Sequence, residues 1–251
     1  MNVRNLPALA MGEVQFHMPN IALISPTSLE SGDLRREFKT SPDEKQGVIS
    51  RGYLHGKSIV FSHCGVGKVN AAHSTTLILE KNDIDFLILF GVGGAYSNAV
   101  VGDVVVAESE NYAEEGVIIG EGWKPMDFTG FALLNNEIEY FNTFPMDRKL
   151  MELAINASKD VGLHAISGNF ITVSQCSGTR VSGKIMQKRF NGICENMEGA
   201  AVAHICAIYG IPMIEIRGIS NMIEDRNLKK WNVPLAASNC NKAVNEIIKR
   251  L

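Results

Sequence analysis

Four separated segments carry side chains able to act on a small polar molecule. Glu30 closes Pro26-Thr27-Ser28-Leu29-Glu30, and Glu198 lies in Asn196-Met197-Glu198-Gly199-Ala200-Ala201. The other two are Gly91-Val92-Gly93-Gly94 and Arg217-Gly218-Ile219-Ser220-Asn221. A carboxylate within reach of a water is a general base. Its two acceptor oxygens also suit paired hydroxyl donors, while an Asn amide offers two N–H donors and no charge. Glycines let backbone approach a flat ligand closely. Each residue also has a plain structural reading. Glu30 suits a first helical turn, where the macrodipole favours an acid, and Met197 suits core packing.

Such side chains need a scaffold, and the pattern around them supplies one. Short apolar runs at 21–25, 48–54, 58–63, 85–91, 103–108, 165–173 and 212–218 predict strands. Helical patterns lie at about 29–38, 67–81, 147–161, 196–209 and 234–250. This alternation predicts an α/β fold with a largely parallel sheet. His55-Gly56-Lys57 between two runs reads as a hairpin, which makes the sheet mixed. In such sheets ligands bind at the carboxyl ends of strands, and all four segments fall where a strand ends or a helix begins. Gly91 to Gly94 is expected to be a loop following the strand that ends at Phe90. Residues 109–146 read as one long irregular stretch, and Met222 to Val233 as a polar loop placed to form a lid.

Composition narrows the function classes. The chain has 251 residues, 45% hydrophobic and 20% charged, which fits one folded domain with a proper core. The expected division is an extension over 1–20 and a single domain over 21–251. A net charge of −3 leaves no basic excess for a phosphate backbone, so nucleic acid is not an expected partner. No apolar run approaches the roughly 20 residues of a bilayer span, so no membrane is expected. The five cysteines are unpaired in spacing and fit a reduced, cytoplasmic protein. The six histidines are scattered, so neither a metal nor a cofactor is expected. Gly65-Val66-Gly67-Lys68 approaches a dinucleotide fingerprint, but Asn70 stands where its last glycine belongs. It reads as a tight turn into a helix, and a dehydrogenase is a poor reading.

Taken in order and spacing, the four segments resemble the nucleoside phosphorylase and methylthioadenosine/adenosylhomocysteine nucleosidase superfamily over residues 21–250. The P-T-x-L-E start, the G-I-S-N end of the late run, and Asp225-Arg226 with Trp231 are most similar to its futalosine hydrolase branch. The resemblance implies a mixed central sheet forming a distorted barrel flanked by helices. It also implies cleavage of a purine nucleoside at the N-glycosidic bond. Glu30 matches the family carboxylate that activates the attacking water, and Glu198 the one that grips the ribose 2′- and 3′-hydroxyls. Met197 would line the ribose, Phe170 would stack on the base, and Gly91, Val92 and Gly93 would border the ligand. Arg217 is expected to order the carboxylates and Ser220 to orient Asn221, while Glu195 reads as a solvated charge.

Adenine-specific members carry Asp where this sequence has Asn221. Hypoxanthine presents acceptors at N7 and O6, which an amide N–H answers and a carboxylate opposes. Asn221 thus favours hypoxanthine release from futalosine, a menaquinone-pathway nucleoside, over adenine release. Arg226 is the candidate partner for the carboxylate at the sugar 5′ end, with Trp231 as its apolar wall. Phosphorylases of the superfamily carry an Arg in the loop after the first strand. Ser25-Pro26-Thr27-Ser28 has none, which favours water over phosphate. Family members are commonly dimers, so a homo-oligomer is expected.

Overall fold

The computed structural model describes residues 19–40, 49–96 and 98–251. The expected extension over 1–20 therefore lies, up to residue 18, outside the described residues. Strand β1 (Asn20–Ser25) is buried on both faces. It lies parallel between β3 (Lys57–His63) and β4 (Phe86–Ala95), and β2 (Ile49–Leu54) pairs antiparallel on β3. Strands covered on both faces read as continuous apolar runs, which is why β1, β3 and β4 are visible in the sequence. His55 and Gly56 turn the β2–β3 hairpin with φ of 51° and 78°, the paired left-handed geometry of a two-residue hairpin loop.

Beyond β4 the sheet closes on itself. β4 pairs parallel with β9 (Met213–Met222), which pairs antiparallel with β5 (Val104–Tyr112). The short β6 (Thr143–Pro145) pairs antiparallel with the far end of β5. β5 runs parallel to β7 (Ala165–Thr172), and β7 parallel to β8 (Gly192–Asn196). β8 returns antiparallel to β4 through Cys194 and Glu195 opposite Ala95 and Gly94. Strands β4, β5, β7, β8 and β9 form a closed mixed barrel whose interior is filled by Ala95, Val105, Ala107, Phe170, Cys194 and Ile219. Side chains fill a barrel of this size and leave no pore.

Helices cover both faces. Along β1 the odd residues Ile21 and Leu23 pack with α3 (Arg148–Asp160) and α6 (Val233–Arg250). The even residues Ala22 and Ile24 pack with α2 (Lys68–Lys81) and α5 (Gly199–Tyr209). This split follows from the two-residue period of a strand. No helix among the described residues is long and apolar enough to cross a membrane.

Several elements differ from expectation. β4, β5 and β9 run past the predicted ends, because barrel closure gives their polar and glycine-rich ends a neighbour to pair with. Gly91 to Gly94 is thus strand, not a loop after one. The predicted helix 29–38 shortens to α1 (Gly32–Glu37), leaving Glu30 in the turn before it. Residues 109–146 are not one irregular stretch. β5 continues to Tyr112, and Val117–Ile119 pairs with Gly122–Lys124 as a hairpin. α4 (Arg180–Phe190) and β8 went unread, since α4 is polar and carries Gly183.

Candidate active site

Three of the four segments converge where β4 leaves the open wing for the barrel. The turn after β1 is held by Glu30 N–H on the Thr27 carbonyl at 3.2 Å, and Asn241 of α6 donates to the Glu30 carbonyl at 2.8 Å. The Glu30 side chain is 7% exposed. Its Oε1 accepts the Thr27 hydroxyl at 2.8 Å and its Oε2 the Val92 N–H at 2.9 Å. A Cβ on Gly91 would lie 2.3 Å from that Oε2, so glycine there leaves the carboxylate its place.

Glu198 stands immediately before α5 and is 3% exposed. The helix's free N–H groups are met by others. Asn196 Oδ1 accepts from Glu198 N and Gly199 N at 2.9 and 2.7 Å, and Thr172 Oγ1 from Ala200 N at 2.7 Å. The Glu198 carboxylate is therefore not spent on capping, the usual duty of a polar side chain there. Its Oε1 accepts the Gly67 N–H at 2.9 Å, and its Oε2 lies 3.3 Å from Arg217 Nη2. The Gly65–Gly67 turn, with φ of 88° and 96°, thus serves to aim one N–H at Glu198.

Arg217 is 1% exposed and joins β4 and Glu215 to the Glu198 carboxylate. Its Nε donates to Glu215 Oε1 at 2.9 Å and its Nη1 to the Val92 carbonyl at 3.3 Å. Burial opposes its charge, but Glu215, Glu198 and Glu30 together hold it above its ordinary value. Burial pushes the Glu30 carboxyl up, against the pull of Arg217 and its two hydrogen bonds, with Glu198 adding to the rise. A raised carboxyl makes a stronger base when ionised.

At the far end of β9 the register with β4 shifts between Ile219 and Asn221. Such an irregularity re-aims side chains. Ser220 Oγ lies 2.8 Å from Asn221 Oδ1 and 3.1 Å from the Gly93 carbonyl. With its oxygen facing that hydroxyl, Asn221 donates one N–H of its Nδ2 to the Met222 carbonyl at 3.2 Å and keeps the other. Asn221, Met222, Ser177, Arg226, Lys230 and Trp231 line a cavity of about 200 Å³. Arg226 stacks over Trp231 at 4.8 Å, and Lys230 pairs with Glu224 at 2.6 Å. The structure thus puts Arg226 in the same cavity as Asn221. Met197 is half-buried, with Cys176 Sγ 3.4 Å from its sulfur.

Two expectations are corrected. Phe170 is 0% exposed and packs inside the barrel, where closure on all sides leaves its ring no ligand face. Glu195 is not a solvated charge. It is buried, accepting the Tyr96 hydroxyl at 2.7 Å and the Ser177 N–H at 2.8 Å. Sequence reasoning missed the Gly67 N–H, Glu110 and Glu215, and that Thr27 and the Val92 N–H hold Glu30. Glu215 had a signal: Glu-x-Arg at 215–217, inside an apolar strand, puts opposite charges on one face. Among the described residues no group of three or more His, Cys, Asp or Glu is placed to hold a metal ion.

Comparison with known proteins agrees with this layout. A family model described as the phosphorylase superfamily matches residues 20–249. A futalosine hydrolase from Thermus thermophilus is 33% identical over 228 residues, spanning 90% of this chain and 94% of its own length. A 5′-methylthioadenosine/S-adenosylhomocysteine nucleosidase from Oceanobacillus iheyensis is 30% identical over 174 residues, 68% of this chain and 71% of its own. The Neisseria meningitidis nucleosidase of that name, solved with methylthio-immucillin-A, has a TM-score of 0.81 and 26% identity. It covers 93% of this chain and 100% of its own.

Proposed function

The chain belongs to the phosphorylase superfamily, and from that premise we propose that it hydrolyses the N-glycosidic bond of futalosine. The products are hypoxanthine and dehypoxanthine futalosine, placing the step in menaquinone biosynthesis. The observation that carries the choice of base is Asn221, its Oδ1 facing the Ser220 hydroxyl at 2.8 Å and its Nδ2 keeping a second N–H for N7 beside the one given to the Met222 carbonyl at 3.2 Å.

In this reading Glu30 accepts a proton from the attacking water. Its two hydrogen bonds, from Thr27 and Val92, fix the carboxyl plane and leave lone pairs for that water. Glu198 accepts the 2′- and 3′-hydroxyls, and its negative charge favours the positive charge that develops on the sugar. Arg217 ties Glu198 down at 3.3 Å without reaching solvent. Asn221 donates to N7 as negative charge builds there. It does not give up a full proton, so hypoxanthine leaves partly anionic or takes its proton from water.

Water is the nucleophile because the loop after β1 holds no cation. The arginines that follow it in sequence are otherwise engaged. Arg35 stacks over Phe38 at 5.1 Å, and Arg36 pairs with Asp33 at 3.4 Å. A second reading, adenine release from methylthioadenosine, adenosylhomocysteine or aminofutalosine, is favoured by the nucleosidase relatives. The test is incubation with futalosine, aminofutalosine, methylthioadenosine and inosine, with and without phosphate, identifying the base released. Phosphate-independent hypoxanthine from futalosine supports the proposal. Faster adenine release from methylthioadenosine replaces it with the second reading.

A further inference from the structure

Behind Glu198 and Arg217 lies a second pair of carboxyl groups that the reaction does not use. Glu110 on β5 and Glu215 on β9 are both fully buried, and Glu110 Oε1 and Glu215 Oε2 crowd the same point beside Gly199, so the two carboxyl groups face each other. Two buried carboxyl groups that face each other cannot both stay ionised at little cost, so one of them carries a proton. The surrounding bonds say which. Glu215 Oε1 is taken by Arg217 Nε at 2.9 Å, so Glu215 is the ionised partner. Its buried Oε2 meets no hydrogen-bond partner among the described residues, and a proton on Glu110 supplies the donor it needs.

Two chains of contacts lead from this pair to residue 198. Through Glu215, the pair holds Arg217, whose Nη2 lies 3.3 Å from Glu198 Oε2. Through Glu110, it holds the Asn196 amide, whose Oδ1 accepts from Glu198 N and Gly199 N at 2.9 and 2.7 Å. Glu110 Oε2 also accepts the Thr172 hydroxyl at 2.7 Å, and Thr172 Oγ1 receives Ala200 N at 2.7 Å. Side chain and backbone of Glu198 are thus fixed from opposite sides by one pair. The chain makes room for it: a Cβ on Gly199 would lie 2.0 Å from Glu110 Oε1 and 2.3 Å from Glu215 Oε2.

We propose that Glu110 and Glu215 share a proton and act as positioning residues, holding Arg217 and the first turn of α5 so that Glu198 meets the sugar diol. This rests on the reading of Glu198 given above. Burial pushes the Glu110 carboxyl well above the usual carboxylate range, and the Glu215 charge adds to the rise. Burial raises Glu215 as well, opposed by Arg217. Cys194 and Tyr112 also face Glu110, and Glu198 and Glu30 lie beyond Arg217. Loss of the shared proton puts another negative charge beside Arg217 and leaves Glu215 Oε2 without a donor. Activity then falls at alkaline pH.

The test compares wild type, Glu110→Gln and Glu110→Leu on whichever of the four nucleosides the wild type cleaves. Gln keeps a neutral donor for Glu215 and an acceptor for Thr172, and forfeits only the bond from Asn196. A fall in kcat/KM of about 10-fold is expected for one lost hydrogen bond. Leu forfeits all of them and strands Glu215, so about 100-fold or more is expected, in KM and kcat together. Glu110→Gln has no proton to lose, so its alkaline limb disappears. Infrared spectra at neutral pH should show a protonated-carboxyl band in the wild type that Glu110→Gln lacks. An unchanged alkaline limb in Glu110→Gln, equal activity in Gln and Leu variants, or no such band in the wild type overturns the proposal. If Glu110→Leu does not fold, the limb and the band decide. If the wild type cleaves none of the nucleosides, the functional reading has failed, and the band still decides the shared proton.

Discussion

Replacing Glu30 by Gln separates the chemical duty of this side chain from its structural one. Gln can keep its carbonyl oxygen on the Val92 N–H and turn its NH₂ toward Thr27, whose hydroxyl rotates from donor to acceptor. Both contacts survive, so the fold should lose no more than about 1 kcal/mol, the scale of one neutral hydrogen bond. Ligand affinity should hardly change, because Glu198 and Asn221 are untouched. What is lost is the base. A missing general base lowers kcat by about 10²–10⁴-fold, or roughly 2.7–5.4 kcal/mol of barrier. Burial also raises the Glu30 carboxyl above its ordinary 4.5, so the acid limb of wild-type kcat/KM should lie above that pH. The variant has no carboxyl to protonate there, and its residual activity should lack the limb. The assay is base release followed by chromatography across pH, with urea denaturation to check the fold. A variant with near-normal kcat, or one that keeps the acid limb, refutes the role given to Glu30.

Gly91→Ala puts a methyl group 2.3 Å from Glu30 Oε2 and 3.1 Å from Arg217 Nη1. The carboxylate must move by about 1 Å, a displacement worth on the order of 10² in rate, and an active variant would show that Glu30 tolerates misplacement. Asn221→Asp should lower hypoxanthine release from futalosine and raise adenine release from aminofutalosine, since an acid can donate to N7 and accept from a 6-amino group; an unchanged preference would remove Asn221 from base selection. The folded chain keeps the Glu110 proton where the unfolded chain has lost it, above an ordinary value of 4.5. Stability from that proton is therefore complete below this pH and declines as pH rises toward the folded pKa, by about 1.4 kcal/mol per pH unit. Glu110→Gln should flatten this slope in urea titrations, and parallel slopes would contradict it.

Strands β1, β3 and β4 are legible because they are buried on both faces over most of their length and read as apolar runs. Barrel closure is not, since it depends on pairing between β4, β8 and β9, which are distant in sequence. For the same reason Gly91 to Gly94 looked like a turn. Glycines that admit Glu30, Cys194 and Ile223 against a strand carry the same letters as glycines that bend a loop. Glu30, Glu198 and Asn221 stood out through segments that resemble a known family. Phe170 was misread because alternation along β7 does not say which face is the sealed barrel interior. Glu110 was hidden because a buried acid is recognisable only from the groups that satisfy it, and Thr172, Asn196 and Glu215 come from three other strands or strand ends.

The central claim is that water attacks a 6-oxopurine nucleoside held between Glu30, Glu198 and Asn221. It is tested most directly by the initial rate of base release from futalosine and from methylthioadenosine by the wild-type protein, in phosphate-free buffer. The account predicts hypoxanthine from futalosine at the higher rate, unchanged when phosphate is added. Faster adenine release from methylthioadenosine, or turnover that requires phosphate and yields a sugar 1-phosphate, would contradict it.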